Sequence, residues 1–322
     1  MNSRENYLKV LHGDIPEWIP LYKQECDIVV PLPYKQSMMA SFTDRDFFGV
    51  RYKQTDHERT VDTTVKPALD DIADWRSVVK PVDLDTVDWE QAARIDLADH
   101  DPDKILCAFV CMADAGTLFL PVMGMMGFEE GLIALIEDPE SVHEFFEYMT
   151  SYYEKLIDYE EKYYNPDMYA FMDDLSSHTG PMISWDTYTE LFRPYYKRII
   201  DKIKSYGKIV EFHICGYCED IVCDLAGLGV DVWQPAQSMN DICMLKDKNQ
   251  GLVINGGWST KETRFDENST EEEVRQIVRD TFDKYAQNGR YIFFPGVMGF
   301  SEQVVEWLYD EARNYGKTFY QG

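Results

Sequence analysis

The stretch EDPESVHEFFEYMTSYYEKLIDYEEKYYNPDMYAFMDD, residues 137–174, decides the reading of the fold. Asp138 followed by Pro139 signals a helix start: the aspartate can accept from a free first-turn N–H, and proline fits there without losing a hydrogen bond. Val142, Phe145, Phe146, Met149 and Tyr153 then recur at three- and four-residue intervals, which places them on one helical face. The segment DMYAFMDD (167–174) follows as a short apolar run, the signature of a buried strand.

The same grammar recurs elsewhere. ENSTEEEVRQIVRDTFDKYAQNGR (267–290) has Ser269 and Thr270 ahead of Glu272 and Glu273 as a capping signal. Val274, Ile277, Val278 and Tyr285 follow at helical spacing, Gly289 ends the helix, and YIFF (291–294) is the next strand. Further strand candidates are DIVVPLP (27–33), KILCAFVC (104–111), KIVEFHIC (208–215), GVDVWQP (229–235) and GLVINGG (251–257). Helical stretches such as WDTYTELFRPYYKRIIDKIKSYG (185–207) separate several of them. Strand-helix units repeated about eight times imply an α/β protein, a (β/α)8 TIM barrel formed by residues 1–322 as one domain. The first 100 residues are less regular, and FFGVRYKQ (47–54) with RTVDTTVKP (59–67) predicts a small hairpin decorating the barrel.

Composition narrows the function. A net charge of -27 leaves no basic stripe to neutralise phosphates, which argues against nucleic-acid binding. No run approaches the roughly 18 apolar residues of a membrane span, and MNSRENYLKVLHGDIPEW lacks an apolar leader, so a cytoplasmic protein is expected. Seven cysteines, an odd number, point to reduced thiols rather than a disulfide framework.

In a barrel, chemistry belongs at the C-terminal rim. Asp173 and Asp174 close the MYAFM strand, His213 and Cys215 close KIVEF, Gln234 and Gln237 follow GVDVW, and Asn255 ends GLVI. The aspartate pair reads either as a cap or turn stabiliser or as a catalytic carboxylate, with His178 a nearby loop residue or a substrate contact. Met125, in PVMGMMGF, reads as core or as an adaptable substrate wall. In EFHICGYCED (211–220), strand alternation puts Glu211, His213 and Cys215 on one face. Those three suit a zinc ion with an open coordination position; a Cys215–Cys218 redox pair or an ordinary core strand are the alternatives.

At these residues the chain resembles the uroporphyrinogen decarboxylase superfamily, and within it the corrinoid-dependent methyltransferases. The resemblance covers RENYLKVLHGDIPEWIPL, DRDFFGVRY, LIALIEDPESVHEFFEYM, FMDDLSSHTGPMISWDTYTELFRPYYKRIIDKIKSYG, FHICGYCEDIVCDLAGLGVDVWQP, GLVINGGW and YIFFPG. It implies a (β/α)8 barrel. The arginine-rich RQAGRYLPEY stretch of true uroporphyrinogen decarboxylases has no counterpart in IPLYKQECDIVVPLPYKQSMM, which argues against porphyrinogen decarboxylation. The methyltransferase branch implies zinc on His213 and Cys215 with a third cysteine after the final PG, where this chain has Val297. Glu211 is then the candidate third ligand, with Asp173, Asp174 and His178 able to approach from a neighbouring strand. The implied reaction moves a methyl group from a small methylated substrate, such as a methoxylated aromatic, to the Co(I) corrinoid of a separate protein. The alternatives are transfer from a methyl-corrinoid protein to a thiol such as coenzyme M, a metal-independent decarboxylase using Asp173 or Asp174, and a non-catalytic barrel. A homodimer is the assembly held open.

Overall fold

All seven stretches read as barrel strands pair in one parallel sheet: β1 (Cys26–Val29), β4 (Ile105–Phe109), β5 (Met168–Met172), β8 (Ile209–His213), β9 (Val232–Ala236), β10 (Val253–Gly256) and β11 (Tyr291–Phe293), in that spatial order. The structure is a computed structural model that describes residues 1–33, 35, 45–54, 59–111, 115–258, 265, 269–296 and 300–321. The two sheet edges meet through one short segment. Leu21 forms a parallel bridge with Phe293 of β11, and the Phe293 N–H donates to Pro20 O at 2.9 Å. After a single helical turn, Tyr22–Glu25, the chain enters β1 and pairs with β4. The ring thus closes as a (β/α)8 barrel whose eighth strand is only the Pro20–Leu21 bridge.

The strands are mostly apolar because both faces of the sheet are largely covered. In β5, all of Met168–Met172 is buried. Odd-numbered β8 residues face the lumen, where Cys26, Ile105, Cys107, Met168, Ala170, Val232 and Ile292 form one cluster. Tyr7, Val10 and Leu11 of the first helix, Ser3–Leu11, belong to that same cluster and fill the barrel interior. Even-numbered residues face the helices, and Phe212 packs against Phe171 and Tyr196 with ring centroids 4.8 and 5.2 Å apart. Register stacks the lumen in layers: Ala170, Glu211 and Val232 align in one, and Met172, His213 and Gln234 align two residues higher.

Helix starts obey local rules. Asp138 accepts from Ser141 N at 3.1 Å and caps the helix Pro139–Tyr163, whose Val142, Phe145, Phe146, Met149 and Tyr153 are wholly buried. Thr270 and Glu273 form a reciprocal capping box for Glu271–Tyr285. Tyr52–Gln54 and Arg59–Val61 (β2 and β3) form the expected antiparallel hairpin. The stretch 185–207 departs from a single helix: a π turn at Tyr188–Phe192 precedes the α-helix Arg193–Ser205, where Pro194 lacks the N–H that a continuous helix would use. Among the described residues no single helix is long and apolar enough to cross a membrane.

Candidate functional site

The C-terminal ends of β5, β8 and β9 bring Asp174, His213 and Gln234 together. His213 Nδ1 hydrogen-bonds the Gln234 side-chain oxygen, and His213 Nε2 lies 3.9 Å from Asp174 Oδ1. The same Asp174 oxygen accepts from Cys215 N at 3.0 Å. Nδ1 is taken up by Gln234, so Nε2 is the ring nitrogen that faces the carboxylate. Cys215 completes the group as a neutral thiol, since burial and then the nearby Asp174 charge push its pKa well up.

The loop after β8 is held from β9. Gly216 N donates to Gln237 Oε1 at 2.7 Å, Asn240 Nδ2 donates to Gly216 O at 2.9 Å, and Cys218 N donates to Asn240 Oδ1 at 2.9 Å. Gly216 has φ +90°, and a Cβ there would lie 2.5 Å from Ser177 O, so only glycine lets this loop cross so close to the neighbouring hairpin. Gln237 therefore orients the loop rather than reaching outward.

The other expected site residues lie elsewhere. Asp173 is fully buried and accepts from four consecutive backbone N–H groups, Thr117 to Leu120, at 2.7–3.1 Å, and from Tyr196 OH at 2.8 Å. It caps the helix Phe119–Met126, and burial lifts its pKa to about 6 against the opposing pull of those bonds. Its carboxylate is committed to these five donors. His178 sits exposed at the tip of the hairpin formed by Ser176–Ser177 (β6) and Gly180–Pro181 (β7). Met125 is fully buried in the shell between strands and helices, as a core residue and not a substrate wall.

Glu211 occupies the layer below His213. Tyr22 OH donates to its Oε1 at 2.7 Å and Asn255 Nδ2 to its Oε2 at 3.0 Å, while burial lifts its pKa to about 7. Both oxygens are thus occupied inside the barrel, two residues beneath the rim. Val297, the position expected to carry a ligand in the family pattern, lies outside the described residues. Among the described residues no three His, Cys, Asp or Glu side chains converge closely enough to hold a metal ion. The expected zinc set of His213, Cys215 and Glu211 is therefore not assembled, and the donors gathered here are an imidazole, a carboxylate, an amide and a thiol. Reading the sequence alone missed the pairing of Gln234 with His213, which the β8–β9 register sets opposite each other.

The family model of uroporphyrinogen decarboxylase (URO-D) matches residues 66–315. The chain belongs to the uroporphyrinogen decarboxylase family. A solved structure, a methyltransferase from Methanosarcina mazei, is similar over 98% of this chain and 99% of its own at 12% identity, with a TM-score of 0.67, which supports the same barrel fold. An uncharacterized protein overlaps 50% of this chain and 42% of its own at 13% identity, and its TM-score of 0.31 carries no argument. No curated protein matches the sequence.

Proposed function

We propose that this family member is a methyltransferase that moves the methyl group of a small methoxylated aromatic compound to the Co(I) corrinoid of a separate protein. The observation that carries the reading is the line of Asp174, His213 and Gln234 across three strand ends at the rim. The corrinoid supplies the nucleophile. The chain's own contribution is to hold the ether oxygen near His213 Nε2, with Gln234 fixing the ring and Asp174 facing its charge. As the methyl group leaves for the acceptor, the ether oxygen takes the Nε2 proton, so a neutral phenol departs instead of a phenolate. General acids placed in this way contribute on the order of 100- to 10,000-fold. The whole-chain similarity to a methyltransferase barrel and the absence of the family's tetrapyrrole-gripping arginine stretch support this reading over porphyrinogen decarboxylation.

The test is anaerobic incubation of the purified protein with methoxybenzenes and reduced cobalamin, following the Co(I) absorbance, before and after chelator treatment and alongside His213→Ala. Expected are substrate-dependent loss of Co(I) signal, no effect of chelation, and a loss of at least about 100-fold in His213→Ala. One zinc per chain whose removal abolishes turnover would replace proton donation by metal polarisation. No turnover of any methoxylated compound would overturn the substrate class.

A further inference from the structure

A cleft lies on the seam where the ring closes, between the segment Trp18–Glu25 and the last helix, Glu302–Thr318. It encloses about 400 Å3. Ile19 and Leu21, both buried, form its apolar lining beside the half-buried Trp18 indole. Arg313 and Lys317 are exposed at its edge, and a four-residue spacing puts them on one face of the helix. Arg313 Nε donates to Gln24 Oε1 at 3.0 Å, which anchors the guanidinium at the cleft.

Two cations facing one apolar cleft stand out in a chain with a net charge of -27. Among the described lining residues Glu25 is the one acid, and its carboxyl points into the wall, accepting from Trp18 Nε1 at 3.2 Å and Leu21 N at 3.3 Å. Burial lifts it to about 7, which weakens its repulsion of an anion near neutral pH. A flat apolar body with one negative end matches this arrangement: the ring meets indole and aliphatic surface, and the anion meets a guanidinium that can bind a carboxylate with two parallel hydrogen bonds.

We propose that this seam cleft binds a small aromatic carboxylate, with its ring against Trp18, Ile19 and Leu21 and its carboxylate between Arg313 and Lys317. Occupancy ties the ring-closing segment to the last helix, so the ligand also stabilises the closed barrel.

The experiment is calorimetric titration of the intact protein with benzoate, its neutral isostere benzamide, and inorganic phosphate, together with thermal melts. Expected are one saturable benzoate site per chain, benzamide at least roughly tenfold weaker, no phosphate binding, and a melting temperature raised by benzoate alone. Arg313→Ala and Lys317→Ala should each weaken benzoate by about tenfold, while Asp174→Asn and His213→Ala leave it unchanged. Equal binding of benzamide, insensitivity to both cation variants, or loss of binding in the rim variants would overturn the assignment. Absence of a saturable site would overturn it as well. None of these outcomes depends on methyl transfer at the rim.

Discussion

Two neighbouring aspartates do different work. Asp173 satisfies five donors inside the protein, whereas Asp174 faces His213 at the rim. Asp173→Ala orphans those donors and should lower unfolding free energy by about 3 kcal/mol, read from denaturant melts. Asp174→Asn should leave the melt within about 0.5 kcal/mol of wild type and lower the transfer rate by roughly 10- to 100-fold. The reverse pattern would exchange the two assignments. The sequence marks both carboxylates as rim residues but does not separate them, because the partners of Asp173 arrive from Thr117–Leu120, more than fifty positions upstream. His213 and Cys215 were legible through strand alternation. The commitment of Glu211 to Tyr22 and Asn255 was not, since Tyr22 lies 189 residues away in sequence.

At the scale of elements, legibility follows locality. The helix Pro139–Tyr163 shows in sequence because its cap and apolar stripe are read within a few turns, and the break before Pro194 shows only as a proline inside an otherwise helical pattern. Within Pro139–Tyr163, Glu160 violates the pattern: it is fully buried, and among the described residues neither carboxyl oxygen has a hydrogen-bond partner. Tyr152, Tyr164, Tyr169, Cys107 and Cys111 are the titratable groups whose ionisation its charge opposes, and burial alone pushes its own pKa well up. The native state therefore keeps a proton that the unfolded chain releases above about pH 4.5, so folding stability falls as pH rises past that point until the native group itself ionises. The slope is about 1.4 kcal/mol per pH unit from this one residue. Glu160→Gln should remove it, so the variant's stability relative to wild type improves as pH rises from 5 toward neutrality in denaturant melts. Parallel curves for the two proteins would mean that Glu160 is ionised in the native state.

At the scale of the molecule, seven of the eight ring positions were readable as apolar runs, and the eighth was not because a single bridge at Leu21 is too short to carry a pattern. Parallel pairing of the neighbouring strands β5, β8 and β9 is what aims Asp174, His213 and Gln234 at one point, and that convergence is the basis for the proposed chemistry. A proton donor matters in proportion to the basicity of the group that leaves. The most direct measurement is the transfer rate of wild type and His213→Ala with two methoxybenzenes, one releasing an ordinary phenol and one a strongly acidic nitrophenol, in metal-free protein with reduced cobalamin as acceptor. Proton donation by His213 predicts a loss of about 100-fold or more for the ordinary phenol and only a few-fold for the nitrophenol. An equal loss for both substrates would contradict it and reduce His213 to a positioning residue.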